Sequence, residues 1–83
     1  MKILYFAWIK LKVGIGEEEV TPPDDVDTVD SLIHWLKTRS PGFHEAFADL
    51  NTVRMAVNQD YVSIHHPIGP FDEIAFFPPV TGG

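Results

Sequence analysis

The sequence predicts a small α+β domain in which one main helix packs across a mixed sheet of four to five strands. Three observations predict it. The stretch from Val29 to Leu36 alone carries apolar residues at clear helical spacing. Short apolar runs with strand character lie at both ends of the chain and in its third quarter. Segments bearing Gly, Pro or Asn separate these runs at short intervals. At 83 residues the chain is one domain, and a domain of that size buries only about 60–65% of its unfolded surface. With no cysteine, neither a disulfide nor a thiolate metal site helps to hold it together.

The first element is an alternating run from Lys2 to Leu11. Lys2, Lys10 and Lys12 share one parity with Leu4, Phe6 and Trp8, while Ile3, Tyr5, Ala7, Ile9 and Leu11 share the other. In a strand, parity decides the face. The lysines mark their own set as outward, so Leu4, Phe6 and Trp8 are expected to form an exposed apolar patch of the kind that marks an interface. A central strand covered on both sides is the alternative. Gly14 and Gly16 read as turn glycines, and Glu17 to Thr21 as a second, solvent-facing strand closed by Pro22-Pro23. The acidic cluster Glu17, Glu18, Glu19, Asp24 and Asp25 reads as a solvated face, with steering toward a basic partner as its functional alternative.

Asp27 or Thr28 is expected to cap a helix that runs to about Arg39, with Val29, Leu32, Ile33 and Leu36 as its buried stripe. Asp30 in its first turn and Lys37 and Arg39 in its last match the helix dipole, and Ser40-Pro41-Gly42 ends it. This is the one strong helix. Phe43 to Leu50 suggests a short helical turn with Phe43, Phe47 and Leu50 inward. Met55–Val57 and Tyr61–Ile64 flank Asn58-Gln59-Asp60 as a hairpin. After a reversal at His66–Pro70, the last strand begins near Glu73, with Ile74 and Phe76 expected inward and Ala75 and Phe77 outward. This order of elements fits a β-grasp over residues 1–77, with the first and last strands parallel at the centre.

Residues 78–83 are expected to form a separate extended tail. Pro78 and Pro79 offer no N–H to a sheet ladder and favour a stiff polyproline-like segment. Val80, Thr81, Gly82 and Gly83 add no charged side chain and little bulk. Six such residues span roughly 20 Å when extended. Read in this way, the tail threads into a narrow channel of another protein, and Gly83 carries a free carboxylate.

The side chains offer little chemistry. His65 and His66 are adjacent and diverge in an extended segment, so no metal site is expected. No Ser-His-Asp or Cys-His spacing is present, and the carboxylates lie in polar stretches. A formal charge of −6 argues against nucleic acid and anionic membranes. No apolar run approaches the roughly 20 residues of a membrane span. Met1 leads directly into strand-like sequence, so the expected location is cytoplasmic.

Phe76-Phe77-Pro78-Pro79-Val80-Thr81-Gly82-Gly83 resembles the C-terminal signature of the sulfur-carrier small subunits of molybdopterin synthase, which are ubiquitin-like. Lys2–Ala7, Ala56-Val57-Asn58-Gln59 and His66-Pro67 are similar to that family's first strand and middle section. The resemblance implies that an E1-like adenylyltransferase spends ATP to adenylate Gly83, which then becomes a thiocarboxylate. Within a heterotetramer of two small and two large subunits, Gly83 would give its sulfur to cyclic pyranopterin monophosphate to build the molybdopterin dithiolene. Pro78 to Gly82 would be the inserted tail, and Phe6, Tyr61 and Phe77 partner-contacting positions, with Leu4, Trp8 and Ala75 beside them. The chain would bind no cofactor itself and catalyse nothing alone. Tyr61 departs from the aliphatic residue expected at its position, and Ile68–Asp72 departs from the family's usual Asp-Gly turn. A carrier for thiamine or tRNA thiolation, a ubiquitin-like modifier and a non-chemical interaction module are the rival readings.

Overall fold

The computed structural model describes residues 1–79. Five strands form one sheet in the order β2-β1-β5-β3-β4: β1 (Lys2–Tyr5), β2 (Glu17–Glu19), β3 (Arg54–Val57), β4 (Asp60–Val62) and β5 (Glu73–Phe77). β1 and β5 run parallel and all other pairings are antiparallel, so the sheet is mixed as expected. Three α-helices accompany it, α1 (Ala7–Val13), α2 (Val29–Lys37) and α3 (Pro41–Ala46), with a short 3-10 turn at Leu50–Thr52.

The helix read from the 3.6 period forms where it was expected. Thr28 is its N-cap, accepting from the Ser31 amide while the Ser31 hydroxyl accepts from the Thr28 amide, a reciprocal capping box. Val29, Leu32, Ile33 and Leu36 are all buried. They share one core with Ile3 and Tyr5 of β1, Met55 and Val57 of β3, and Ile74 and Phe76 of β5. Phe76 is at the centre of an aromatic cluster, edge-on to Phe47 at 4.9 Å and stacked on Tyr5 at 6.2 Å. Ring pairs of this geometry add to the gain from burial alone.

The long first strand is overturned. β1 stops at Tyr5, Phe6 caps a helix with extended backbone, and Ala7 turns the chain at a φ of 53°. Lys2–Leu11 therefore holds a four-residue strand followed by most of a helix. A run whose only charged residues, Lys2 and Lys10, stand at either end of seven apolar ones fixes no period by itself, and Ile9 and Val13 also lie one helical turn apart, so the period was ambiguous beyond Tyr5. Ile9 is the buried anchor of α1, Trp8 packs half-buried against the core, and Leu11 faces solvent. Gly14, at a φ of 92°, ends α1 with its amide on the Lys10 carbonyl.

Ser40-Pro41-Gly42 also does more than end α2. Ser40 caps α3 by accepting from the Phe43 amide, and Pro41 takes the first helical position, where its missing N–H costs nothing. Gly42 is required by close approach, because a Cβ there would collide with the Lys12 carbonyl oxygen at the end of α1. The hairpin turn is tighter than expected. Asn58 and Gln59 alone form it, at φ values of 49° and 72°, and Asp60 already belongs to β4.

Candidate docking face

Every second residue of the strands points away from the helices. The pairing registers line up Glu17, Leu4, Ala75, Ala56 and Tyr61 as one row across all five strands. One step toward the C-terminal end of β5, Phe77 faces Arg54. Phe6 adjoins them, its amide donating to the Phe76 carbonyl at 3.1 Å. One step the other way the row turns polar, with Glu19, Lys2 and Glu73 in register. The apolar part of this outer face thus lies at the end where β5 runs into Pro78 and Pro79.

Of the residues singled out in the sequence, Leu4, Phe6, Tyr61, Ala75 and Phe77 come together here. Leu4, Ala75 and Phe77 are half-buried, Phe6 is 47% exposed and Tyr61 79% exposed. The Tyr61 and Phe77 rings lie 5.5 Å apart in a tilted pair. Trp8 does not join them, because it belongs to α1. Two residues of this face were missed, Ala56 and Arg54. Strand parity was the available signal, since both oppose the parity of the core residues Met55 and Val57. Pro78 and Pro79 leave the sheet half-buried, while Val80, Thr81, Gly82 and Gly83 lie outside the described residues.

Two polar networks hold the face in position. At the far end of β5, the Asn58 side chain accepts from the Glu73 amide at 3.0 Å and donates to the Asp72 carboxylate at 2.9 Å. Asp72 also accepts from the Gly69 amide at 2.8 Å, closing the turn that carries the fully exposed Phe71. The Asn58 and Gly69 hydrogen bonds hold the Asp72 carboxyl below its usual range. Beside β1, Glu18 departs from the solvated acidic face expected of it. It takes both guanidinium nitrogens of Arg39, at 2.7 and 2.9 Å, and the Tyr5 hydroxyl at 2.7 Å. Partial burial pushes the Glu18 carboxyl up, but the hydrogen bonds from Arg39 and Tyr5 and the charge of Arg39 outweigh it and hold it low. Burial, and then Glu18, push the Tyr5 phenol well above its ordinary value. Arg39 in turn lies over the Trp35 and Phe43 rings at 5.3 and 4.8 Å, tying β1 and β2 to α2 and α3.

Among the described residues no three His, Asp or Glu side chains gather into a metal-holding group, and no helix is long and apolar enough to cross a membrane. What the described face can do is bind a protein surface beside the point where Pro78 and Pro79 leave β5.

Comparison with known proteins gives this face and tail a lineage. The ThiS family model matches residues 3–83. The molybdopterin synthase sulfur carrier subunit of Escherichia coli K12 is 41% identical over 83 residues, covering 100% of this chain and 99% of the relative. The human protein of the same name is 33% identical, covering 100% of this chain and 93% of its own length. Among solved structures, a putative molybdopterin converting factor subunit 1 from Pyrococcus furiosus superposes with a TM-score of 0.76 at 34% identity, over 95% of both chains. SAMP1 of Haloferax volcanii superposes with a TM-score of 0.78 at 25% identity, over 100% of this chain and 98% of its own. The chain has the ubiquitin-like β-grasp fold of these neighbours. It belongs to the ThiS family, alongside the molybdopterin synthase sulfur carrier subunits.

Proposed function

We propose that this chain is the sulfur-carrying small subunit of a molybdopterin synthase and that Gly83 is its one covalent site. The observation that carries the reading is the end-to-end match to relatives of that name, which includes the tail through residue 83. The apolar outer face supports it, because that face surrounds the point where β5 feeds into the tail.

A carboxylate is a poor acyl donor, since its charge repels nucleophiles and oxide is a bad leaving group. In the proposed cycle the Gly83 carboxylate attacks the α-phosphorus of ATP on an E1-like adenylyltransferase and releases pyrophosphate. Sulfide-level sulfur, or a persulfide whose S–S bond a thiol then reduces, displaces AMP and leaves a thiocarboxylate. That soft anion is a competent nucleophile without any cysteine. Delivered into the large subunit, its sulfur forms a carbon–sulfur bond to cyclic pyranopterin monophosphate as an oxygen substituent leaves the accepting carbon, and water then cleaves the acyl–sulfur bond and regenerates the carboxylate. A dithiolene holds two sulfurs, so two charged carriers are consumed per product, which suits two small subunits working with two large ones. ATP is the activating enzyme's substrate, and the acid–base groups belong to the large subunit. Leu4, Phe6, Ala75 and Phe77 dock, and Pro78 to Gly82 span the channel with backbone and little else.

A protein-modifier role is the second reading, favoured by the fold match to SAMP1. The higher identities to sulfur carriers over the full chain weigh against it. A reconstituted reaction separates the two. With the adenylyltransferase, ATP, a sulfur source, the large subunit and cyclic pyranopterin monophosphate, the intact chain should yield molybdopterin and the chain lacking Gly83 none. Removing one residue withdraws the carboxyl by roughly 3.3 Å, more than reacting atoms tolerate. Turnover by the shortened chain would mean that sulfur travels on another group.

A further inference from the structure

The outer face is not uniformly apolar. Where β3 and β4 meet the end of β5, Arg54, Tyr61 and Phe77 line a notch together with Met55 and Val62. Its volume is about 270 Å³, suited to one side chain and below the roughly 300–1,000 Å³ of a small-molecule pocket. Two walls are the paired aromatic rings. The third is Arg54.

Arg54 is pre-set for an anion. Its Nη1 donates to the backbone carbonyls of Asn51 and Val53, at 3.1 and 3.2 Å, which orients the group while leaving Nε and Nη2 without a partner among the described residues. Lys2, Lys12 and Arg39 are each committed to a glutamate, whereas Arg54, like Lys10 and Lys37, enters no ion pair among the described residues, and of these three only Arg54 lines the notch. None of the notch residues is acidic. The chain as a whole carries −6, so an unpaired cation on the docking face is a local reversal of sign. The Tyr61 hydroxyl makes no hydrogen bond within the described residues either, and once covered it must find an acceptor or stay costly to bury.

Resting on the docking reading above, we infer that this notch receives an acidic side chain of the large synthase subunit, its stem between the Tyr61 and Phe77 rings and its carboxylate on Arg54 with the Tyr61 hydroxyl beside it. Guanidinium presents two parallel N–H groups that match one carboxylate. The Leu4/Phe6/Ala75 side of the face then supplies apolar contact, and the notch decides which large subunit is accepted. A partner with an apolar or basic group at that point strands a cation and a hydroxyl without water.

The test is binding of this chain to the purified large subunit from the same organism, measured by titration calorimetry at low and high salt. Arg54→Glu should weaken binding by about thirtyfold or more, and Arg54→Ala by about tenfold with most of the salt dependence removed. Tyr61→Phe, which keeps the ring, should cost about fivefold. Replacing one Asp or Glu of the large subunit by Lys should restore binding to Arg54→Glu while weakening binding to the unaltered chain. All three variants alter exposed side chains, so thermal unfolding serves as the control for folding. Full-strength binding by Arg54→Glu together with loss of binding by Phe77→Arg would show an interface that is apolar alone, overturning the notch while leaving the sulfur-carrier reading intact. If Phe77→Arg also binds at full strength, this face is not the docking surface, and both the notch and the interface reading fail.

Discussion

The two faces of the sheet are built from the same strands and meet opposite fates. In β5, Ile74 and Phe76 are fully buried beneath the helices, whereas Ala75 and Phe77, their immediate neighbours, lie half-buried on the other side. In β1, Ile3 and Tyr5 point in and Leu4 points out. The inner face is closed by material of this chain: α2, Ile9 of α1, Phe43 of α3 and Phe47 at its C-cap. The outer face keeps apolar side chains that nothing in the fold requires. A domain this small has no stability to spare for idle surface, so under the proposed reading the outer residues are held for a partner. It also means that a change of parity by one residue changes the phenotype from unfolding to failed association.

The largest effect expected from that split is at Phe76. Phe76→Ala should lower stability by about 3–5 kcal/mol, enough to unfold much of the population, because it empties the centre of the aromatic cluster. Urea denaturation monitored by circular dichroism measures it. A loss below 1 kcal/mol, on the order of a surface substitution, would mean that the inner core does not depend on this ring. At the next residue the outcome should reverse. Phe77→Arg should change stability by no more than about 1 kcal/mol yet reduce affinity for the large subunit by about a hundredfold, since a charge would be desolvated against apolar surface. If it unfolds the domain instead, the two faces are not separable as described.

A smaller effect should come from the clasp that sets the start of β5. Asn58→Gly keeps the left-handed backbone but loses the bonds to Asp72 and Glu73, at about 1–2 kcal/mol. Asn58→Ala adds backbone strain at the positive φ and should be worse by about 1 kcal/mol. Equal losses in the two variants would mean that the side-chain bonds alone matter. The smallest effect is a pH dependence. Glu18 and Asp72 are both held below their ordinary values in the folded state. Their stabilisation is therefore present above the unfolded carboxylate range near pH 4 and is lost as the pH falls through the lower, folded values. Glu18→Gln should flatten that acid limb in a series of thermal melts from neutral pH downward. An unchanged limb would assign the acid sensitivity to other groups.

Much of this architecture is legible in the sequence because it depends on periods. The α2 stripe and the inward Ile74 and Phe76 follow from spacing that admits one interpretation, while the cap was narrowed to Asp27 or Thr28 and the parallel β1–β5 pair follows from the order of elements. The error at Lys2–Leu11 came where two periods fit equally well and a single backbone turn at Ala7 decided between them. Trp8 was consequently placed on a strand face it does not share. Glu18 was legible as one of five clustered acids but not as the partner of Arg39, which is 21 positions away and is brought near by α2. Arg54 was missed for the opposite reason. A charged residue at the start of a short strand looks like ordinary solubility, and only the registers show it facing Phe77. The tail chemistry rests on resemblance and on the family match, since a Gly-Gly end has no periodicity of its own.

The measurement that bears most directly on the proposed role is the intact mass of this chain purified from its native cell under conditions that spare thioacids, with the C-terminal peptide fragmented to locate any change. A fraction of molecules should carry one sulfur in place of one oxygen, confined to the Gly83 carboxyl and absent from cells lacking the adenylyltransferase. A chain whose Gly83 is always an ordinary carboxylate, even when the large subunit is deleted and charged carrier should accumulate, would contradict the sulfur-carrier account.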